Sequence, residues 1–252
     1  MTILLTNDDG YLAPGLYAAR KYLSRFHKVV TVAPDRDRSG VSHSLTVTRP
    51  LRARKIEKDF YAVDGTPTDA VMIAIYRLLK KPPDVVVSGI NSGANMGEDV
   101  TYSGTVAAAI EGVLLGIPSI AVSLASMGRL NHVDPKEYSV AARFIRRVIT
   151  QISRNGLPEG SLLNINVPAD EKVDVRRYAI TRLGKRVYDD VITEKIDPRG
   201  RHYYWIAGTV RITGKGPETD YGAVERRLIS VTPLTVDTTA RDLVEELKKW
   251  QF

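Results

Sequence analysis

Asp8 and Asp9 stand side by side in Thr6-Asn7-Asp8-Asp9-Gly10, directly after the apolar run Ile3-Leu4-Leu5. Two adjacent carboxylates repel each other unless a positive charge lies between or beside them, and a hard divalent cation would supply it. A short apolar run that stops at polar residues reads as a buried parallel strand. In an open α/β sheet, ligands gather beyond the carboxyl ends of the strands, which is where this pair would then stand. The composition Asn-Asp-Asp-Gly suits a solvated turn equally well. Tyr102-Ser103-Gly104-Thr105 is a second stretch with chemical capacity, because it opens the alanine-rich apolar segment Val106 to Leu115. A helix starting there would turn free backbone N–H groups and its positive dipole end toward a phosphate. A plain N-cap accounts for the same residues.

The elements that must position these groups follow a repeating pattern. Leu16 to Phe26 carries apolar residues at helical spacing behind Pro14 and Gly15, and Lys28 to Ala33 is a β-branched strand. Strand, helix and strand in that order form a right-handed crossover, so the loop Asp35 to His43 should leave on the same side as Asp8 and Asp9. Leu45 to Ile56 and Phe60 to Val63 read as short strands at a sheet margin. Thr66 then caps a helix that starts at Pro67 and runs to about Leu79. Asp84 to Ser88 is another buried strand, and it delivers the glycine-rich loop Gly89 to Gly97, with Asn91 and Asn95 in it. Ser119 to Leu124 and Leu162 to Val167 read as strands on either side of an amphipathic helix, Lys136 to Ile152. Alternation of this kind predicts an α/β fold with a doubly wound, mostly parallel, Rossmann-like sheet.

After Pro168 the pattern changes to short strand-like pieces, Val173 to Thr213, with Tyr188, Tyr203, Tyr204 and Trp205 and with glycines that include Gly208. These aromatics would sit awkwardly on an isolated hairpin. They suit an arm that packs on another subunit, or equally one that packs on its own domain. Ile229 to Val231 resumes a strand. Thr239-Ala240-Arg241-Asp242 resembles a capping box for a last helix, Leu243 to Trp250. The expected division is an α/β catalytic core over 1–170, and an oligomerisation arm, returning strand and terminal helix over 171–252 of the same domain.

The chain has 252 residues, a net charge of +7 and no cysteine. That length buries a large core without staples, and any metal must be held by oxygen or imidazole. The charge favours anionic ligands, but the basic residues are scattered, and their local concentrations at Arg52 to Lys58, Arg143 to Arg147 and Arg176 to Arg186 read as solvated faces. No basic-then-apolar leader and no membrane-length apolar run is present, so a soluble, cytoplasmic protein is expected. A Gly-x-Gly-x-x-Gly turn after the first strand is also missing, which excludes the usual dinucleotide fingerprint.

Thr6-Asn-Asp-Asp-Gly10, Ala33-Pro-Asp-Arg36, Arg38-Ser-Gly-Val-Ser-His-Ser44, Val63-Asp-Gly-Thr-Pro-Thr-Asp69, Val87-Ser-Gly-Ile-Asn91, Asn95-Met-Gly-Glu-Asp99, Tyr102-Ser-Gly-Thr-Val106 and Gly116-Ile-Pro118 occur in order. As a set they closely resemble the SurE family of survival-protein nucleotidases and phosphatases. The resemblance implies a metal-dependent phosphomonoesterase acting on nucleoside 5'-monophosphates, with 3'-nucleotides and short polyphosphate as further substrates. It implies one Mg2+ or Mn2+ per subunit, held by Asp8, Asp9, Ser39 and Asn91. Asp8 and Asp9 are then the catalytic candidates, Asn95, Ser103, Gly104 and Thr105 the phosphate-binding ones, and Asn7, Gly40 and His43 their supports. It further implies a homodimer or homotetramer with exchanged carboxyl-terminal elements. No membrane association and no stable nucleic-acid partner is expected. The competing readings are a broad acid phosphatase and a non-catalytic nucleotide- or RNA-binding module. Adjacent carboxylates beside a phosphate argue against the binder, since without a metal they would repel it.

Overall fold

The computed structural model describes residues 1–126, 135–189, 192–206, 209–214 and 216–251. Strand β1 (Thr2–Thr6) leads through α1 (Pro14–Leu23) to β2 (Lys28–Pro34), and a margin of β3 (Ala53–Glu57) and β4 (Phe60–Val63) follows. Helix α2 (Pro67–Ile73), prolonged by a π turn over Ala74–Leu78, returns the chain to β5 (Val85–Asn91). A 3-10 turn (Gly97–Thr101) precedes α3 (Gly104–Leu114), β6 (Ser119–Ala125), α4 (Pro135–Asn155) and β7 (Ser161–Pro168). The rest comprises β8 (Tyr178–Ile180), β9 (Arg186–Asp189), β10 (Ile192–Ile196), β11 (His202–Ile206), β12 (Thr209–Ile212), α5 (Asp220–Glu225), β13 (Ile229–Thr235) and α6 (Arg241–Leu247).

The main sheet has the order β3-β4-β2-β1-β5-β6-β7-β13-β8. Strands β4 to β7 are mutually parallel, β3 and β13 run antiparallel to their neighbours β4 and β7, and β8 is parallel to β13. The chain winds outward from β1 to β2 and β4, then crosses back to β5 and winds the other way. The strand order therefore reverses between β1 and β5, and a crevice opens there at the carboxyl ends. Helices α1 and α4 cover one face around a core that includes Leu5, Leu16, Val87, Ile120 and Ile145; α2 and α3 cover the other around Leu4, Val32, Val71 and Val86. At Gly15 the first turn of α1 lies so close to β5 that a Cβ would stand 2.0 Å from the Ile90 carbonyl oxygen. No helix among the described residues is long and apolar enough to cross a membrane.

Three expectations need correction. Leu45 to Arg52 alternates like a strand but forms none; only Ala53–Glu57 pairs, and Val47 is 83% exposed. The α2 cap takes the hydrogen-bonding groups that a strand would have used. Thr46 N–H donates to Asp69 Oδ1 at 3.0 Å and the Thr66 hydroxyl donates to the Ser44 carbonyl at 2.8 Å. The first helix ends at Leu23, because Arg25 and Phe26 donate three residues back to Tyr22 and Leu23 and tighten the chain out of the α pattern. The last helix begins at Arg241 and has no side-chain cap. Thr239 instead donates its N–H to Asp237 Oδ1 at 3.0 Å, while Arg241 pairs with Asp237 Oδ2 at 2.6 Å.

Strand β9 pairs with β12 and β10 with β11, both antiparallel, to make a long hairpin. Trp205 is 61% and Ile206 85% exposed in the single chain, so the outer half of the hairpin does not pack on its own domain. Gly208 and the side chain of Tyr188 lie outside the described residues.

Candidate active site

Strand β1 ends in a turn that the Asn7 side chain closes, its Nδ2 donating to the Gly10 carbonyl at 2.9 Å. Gly10 has φ +93°, and a Cβ there would come within 2.8 Å of the Arg36 backbone, so the loop after β1 lies directly on the loop after β2. Arg38 N–H seals that contact by donating to the Asp8 carbonyl at 2.8 Å. The Asp8 side chain is 4% exposed. Its Oδ1 accepts the Thr105 hydroxyl, and Gly104 lies against it so closely that a Cβ would be 3.0 Å from Oδ2. Asp9 turns the other way, its Oδ2 accepting the Ser92 N–H at 3.2 Å. The two carboxylates thus link β1 to the start of α3 and to the glycine-rich loop after β5.

Burial drives the Asp8 carboxyl above its ordinary value, against the Thr105 hydrogen bond. Burial and then the charge on Asp8 push Asp9 up to about 7. The Tyr138 hydroxyl is pushed up to about 12, first by burial and then by Asp9. Among the described residues neither carboxylate has an ion-pair partner. This is the electrostatic situation that a cation relieves.

Of the remaining candidates, Gly104 and Thr105 meet Asp8 directly, and the rest lie after β2, at the end of β5 or just beyond it, and at the start of α3. Ser39 donates both its N–H and its hydroxyl to Asp37 Oδ1, at 2.7 and 2.6 Å. Asn91 Nδ2 donates to the Gly93 carbonyl at 2.8 Å, which leaves its Oδ1 without a protein donor among the described residues. Ser103 caps α3, its Oγ accepting the Val106 N–H at 3.1 Å, with Gly104 and Thr105 as the first helical residues. Gly40 has φ +72° and no neighbour within 4 Å of a built Cβ, so turn geometry alone requires it. His43 faces α3, with Nε2 2.9 Å from Oε2 of Glu111. Asn95 lies in a buried amide network: its Nδ2 donates to Ser123 Oγ at 2.7 Å and its N–H to Asn166 Oδ1 at 2.9 Å. Its carbonyl accepts from Asn164 and Asn166 at 2.8 and 2.9 Å.

Asp37, Glu111, Ser123, Asn164 and Asn166 escaped the sequence reading. The Asp-x-Ser spacing of Asp37 and Ser39 and the two asparagines inside an otherwise apolar strand were the available signals. Two uncompensated carboxylates, a free amide oxygen and a serine oxygen fit a hard divalent cation such as Mg2+ or Mn2+. No group of three His, Cys, Asp or Glu side chains converges among the described residues, so the set is unlike a zinc site. The larger described cavity, about 750 Å³, lies elsewhere, between the second half of α4 and strands β7, β8 and β13. Asp8 and Asp9 stand instead at the carboxyl end of β1, beside the point where the strand order reverses.

The raised Asp9 carboxyl has a consequence for stability. Its folded value, about 7, exceeds the ordinary 3.8, so it stabilises the metal-free fold at low pH, and that contribution is lost as the pH rises through about 7. Allowing for partial exposure, about 2 kcal/mol is at stake. With metal chelated, native protein should melt several degrees lower at pH 8 than at pH 5, and Asp9→Asn should show a shallower slope, the raised Asp8 and Asp220 carboxyls keeping the remainder. Parallel melting curves for the two proteins would contradict it.

An open parallel sheet that brings paired carboxylates and a helix N-terminus to its switch point places the molecule among the doubly wound α/β proteins with a ligand crevice at the strand ends. Comparison with known proteins narrows that class. The pattern of the family described as Survival protein SurE matches residues 3–190. A protein named 5'-nucleotidase SurE from Geotalea uraniireducens is 50% identical, with 100% of each chain covered. One of the same name from Nitrosococcus oceani is 47% identical, over 99% of this chain and 97% of its own. The crystal structure of SurE protein from Aquifex aeolicus superposes with a TM-score of 0.84 at 43% identity, covering 98% of both chains. The chain belongs to the SurE family.

Proposed function

We propose that this chain is a 5'-nucleotidase, a divalent-metal-dependent phosphomonoesterase that hydrolyses nucleoside 5'-monophosphates to nucleoside and phosphate. The observation that carries this reading is the adjacent pair of buried Asp8 and half-buried Asp9, without a cationic partner among the described residues, with Asp8 against the first turn of α3. The shared name of the full-length relatives supports the reaction class. Asp8, Asp9, Ser39 and Asn91 would hold one Mg2+ or Mn2+. When bound, such an ion neutralises phosphate oxygens and acidifies a water molecule.

The chain's own groups do the rest. Ser103, Gly104 and Thr105 receive the phosphoryl oxygens on backbone N–H groups and the Ser103 hydroxyl, since the Thr105 hydroxyl is committed to Asp8. Thr105 also holds Asp8 in orientation, and Asn95 fixes the loop that follows Asn91 at the end of β5. Asp8 is enclosed by Thr105 and Gly104, which disfavours its own attack on phosphorus. Water attacks instead, Asp9 takes its proton, the phosphorus–oxygen bond to the nucleoside breaks, and the proton passes to the leaving 5' oxygen. Substrates beyond this class, 3'-nucleotides and short polyphosphate, would use the same phosphate contacts.

The test is phosphate release from nucleoside 5'- and 3'-monophosphates, short polyphosphate and p-nitrophenyl phosphate, after chelation and after return of Mg2+ or Mn2+. Release should fall at least about a hundredfold on chelation, recover with metal, and be fastest on 5'-monophosphates. Chelator-resistant release, or none under any metal, would end this reading. We also propose a homodimer or homotetramer built through the exposed hairpin and α6, whose Leu243 and Val244 are exposed in the single chain. Light scattering on the assayed sample should give a multiple of the monomer mass, and monomer alone at micromolar concentration would refute it.

A further inference from the structure

Gly97 is the joint between two segments that carry candidate site residues. Asn91 to Met96 lies before it, and the 3-10 turn leading to Ser103–Thr105 lies after it. Its φ is +54°, and a Cβ would meet the Gly184 carbonyl oxygen at 2.9 Å and the Tyr221 ring at 2.9 Å. Its N–H donates to Asp220 Oδ2 at 2.7 Å. The other oxygen of that carboxylate accepts from Gly184 N–H and Tyr221 N–H, both at 2.8 Å. Asp220 is wholly buried, and all three donors are backbone amides from different parts of the site's support. Gly184 stands at the foot of the hairpin arm, next to Lys185, whose carbonyl accepts from Thr213 and Gly214 on the returning side. Two neighbouring links tie the same places together. The Tyr221 hydroxyl donates to the Met96 carbonyl at 3.1 Å, and Arg186 donates its N–H to Glu98 at 2.9 Å while its guanidinium pairs with Asp99.

We infer that Asp220 is a positioning residue for the crevice: its carboxylate joins the Gly97 joint to Gly184, so the foot of the arm and the site loops are held as one body. The choice of acid over amide follows from the donors. An ionised carboxylate offers acceptors only, on both oxygens, whereas an asparagine must turn its NH2 toward at least one N–H. Burial raises the Asp220 carboxyl above its ordinary value, and the bonds from the three amides oppose that shift by favouring the ionised form. Asp220 touches no reacting atom; it acts through the loop. Where the arm is covered by a second copy, the constraint on the arm's foot reaches the Asn91 loop through this carboxylate. The inference rests on the metal and phosphate roles proposed above.

The test is Asp220→Asn in the full chain, titrated with Mn2+ alone by electron paramagnetic resonance, then assayed for KM and kcat on a nucleoside 5'-monophosphate at saturating Mg2+. Loss of one charge-assisted bond at the joint should weaken Mn2+ binding about tenfold and raise KM about tenfold, with kcat within about threefold of native. Ile229→Val, in the core of β13, should lower the melting midpoint and leave Mn2+ affinity and KM unchanged. Native values for Asp220→Asn would overturn the inference. If that variant does not fold, Tyr221→Phe removes the parallel link to Met96 and should weaken Mn2+ about threefold; no change would be equally fatal. A native chain that binds no Mn2+ would sink the metal reading. The inference then stands or falls on amide hydrogen exchange over residues 92–105, which should accelerate in Asp220→Asn and not in Ile229→Val.

Discussion

Asp8→Asn should lower kcat/KM for a nucleoside 5'-monophosphate by at least roughly a thousandfold, about 4 kcal/mol of transition-state stabilisation. The substitution is nearly isosteric and keeps one oxygen for the Thr105 hydroxyl, so the fold should survive. What it removes is half of the negative charge in a crevice where that charge has no partner among the described residues. A site that loses its cation loses both the neutralisation of the phosphate and the acidified water, and among the described residues no lysine or arginine pairs with the carboxylates to replace it. Removal of the Asp8 charge should also bring the Asp9 carboxyl down, because Asp8 is its second-largest cause of elevation. Phosphate release in saturating Mg2+, with circular dichroism as the check on folding, measures the effect. Activity within tenfold of native would remove Asp8 from the mechanism.

Gly104→Ala should cost about a hundredfold in kcat/KM, although it adds only a methyl group. That methyl would stand 2.8 Å from Asp8 Cβ, 3.0 Å from its Oδ2 and 3.2 Å from Pro67 Cγ. None of these can yield cheaply. Asp8 is fixed by Thr105, and Pro67 is the first residue of α2, behind the Thr66 and Asp69 capping box. The strain is relieved by moving Asp8 or the first turn of α3, and a displacement of that order in a reacting constellation costs about two orders of magnitude. Stability should fall by about 1–3 kcal/mol, the usual cost of overfilling a tight contact. Alanine at Gly116, where nothing lies within 4 Å but φ is +77°, separates backbone strain from crowding, since it should lower stability and spare activity. Equal activity losses in the two variants would show that crowding at Asp8 is not the cause.

Much of the architecture was legible because β1, β2, β5 and β7 are short, largely apolar runs that stop at Asn or Pro, and because helices intervene between the parallel strands. The start of α3 could be read from Ser103-Gly104-Thr105 ahead of an apolar segment. Leu45 to Arg52, read as the first part of a margin strand, forms none because the backbone around Ser44 and Thr46 has partners in the α2 cap. Thr239 misled for the same kind of reason, since Asp237 nearby competed for its N–H. Within the site, residues inside contiguous motifs were legible. Asn166, Glu111 and Asp220 were not, because they reach their partners across 71, 68 and 123 residues, and nothing in local spacing announces a buried polar group whose donors lie so far along the chain. Arm and crevice also looked like separate matters until Gly97 and Gly184 proved to share one carboxylate.

The central place of β1 bears on how the protein is made. This strand has β2 on one side and β5 on the other, and its Asp8 is completed only by Thr105, 97 residues further on. During synthesis, β1 and β2 can pair early, while the opposite margin of β1 stays unpaired until Val85–Asn91 has emerged. For that interval a run of buried-type residues presents open backbone to any other strand, the condition under which nascent chains associate wrongly. Parallel pairing over such separations is also slow. The protein's most exposed moment would thus come before its site exists, and its yield in a cell would depend on the pace of translation and on whatever shields the nascent sheet.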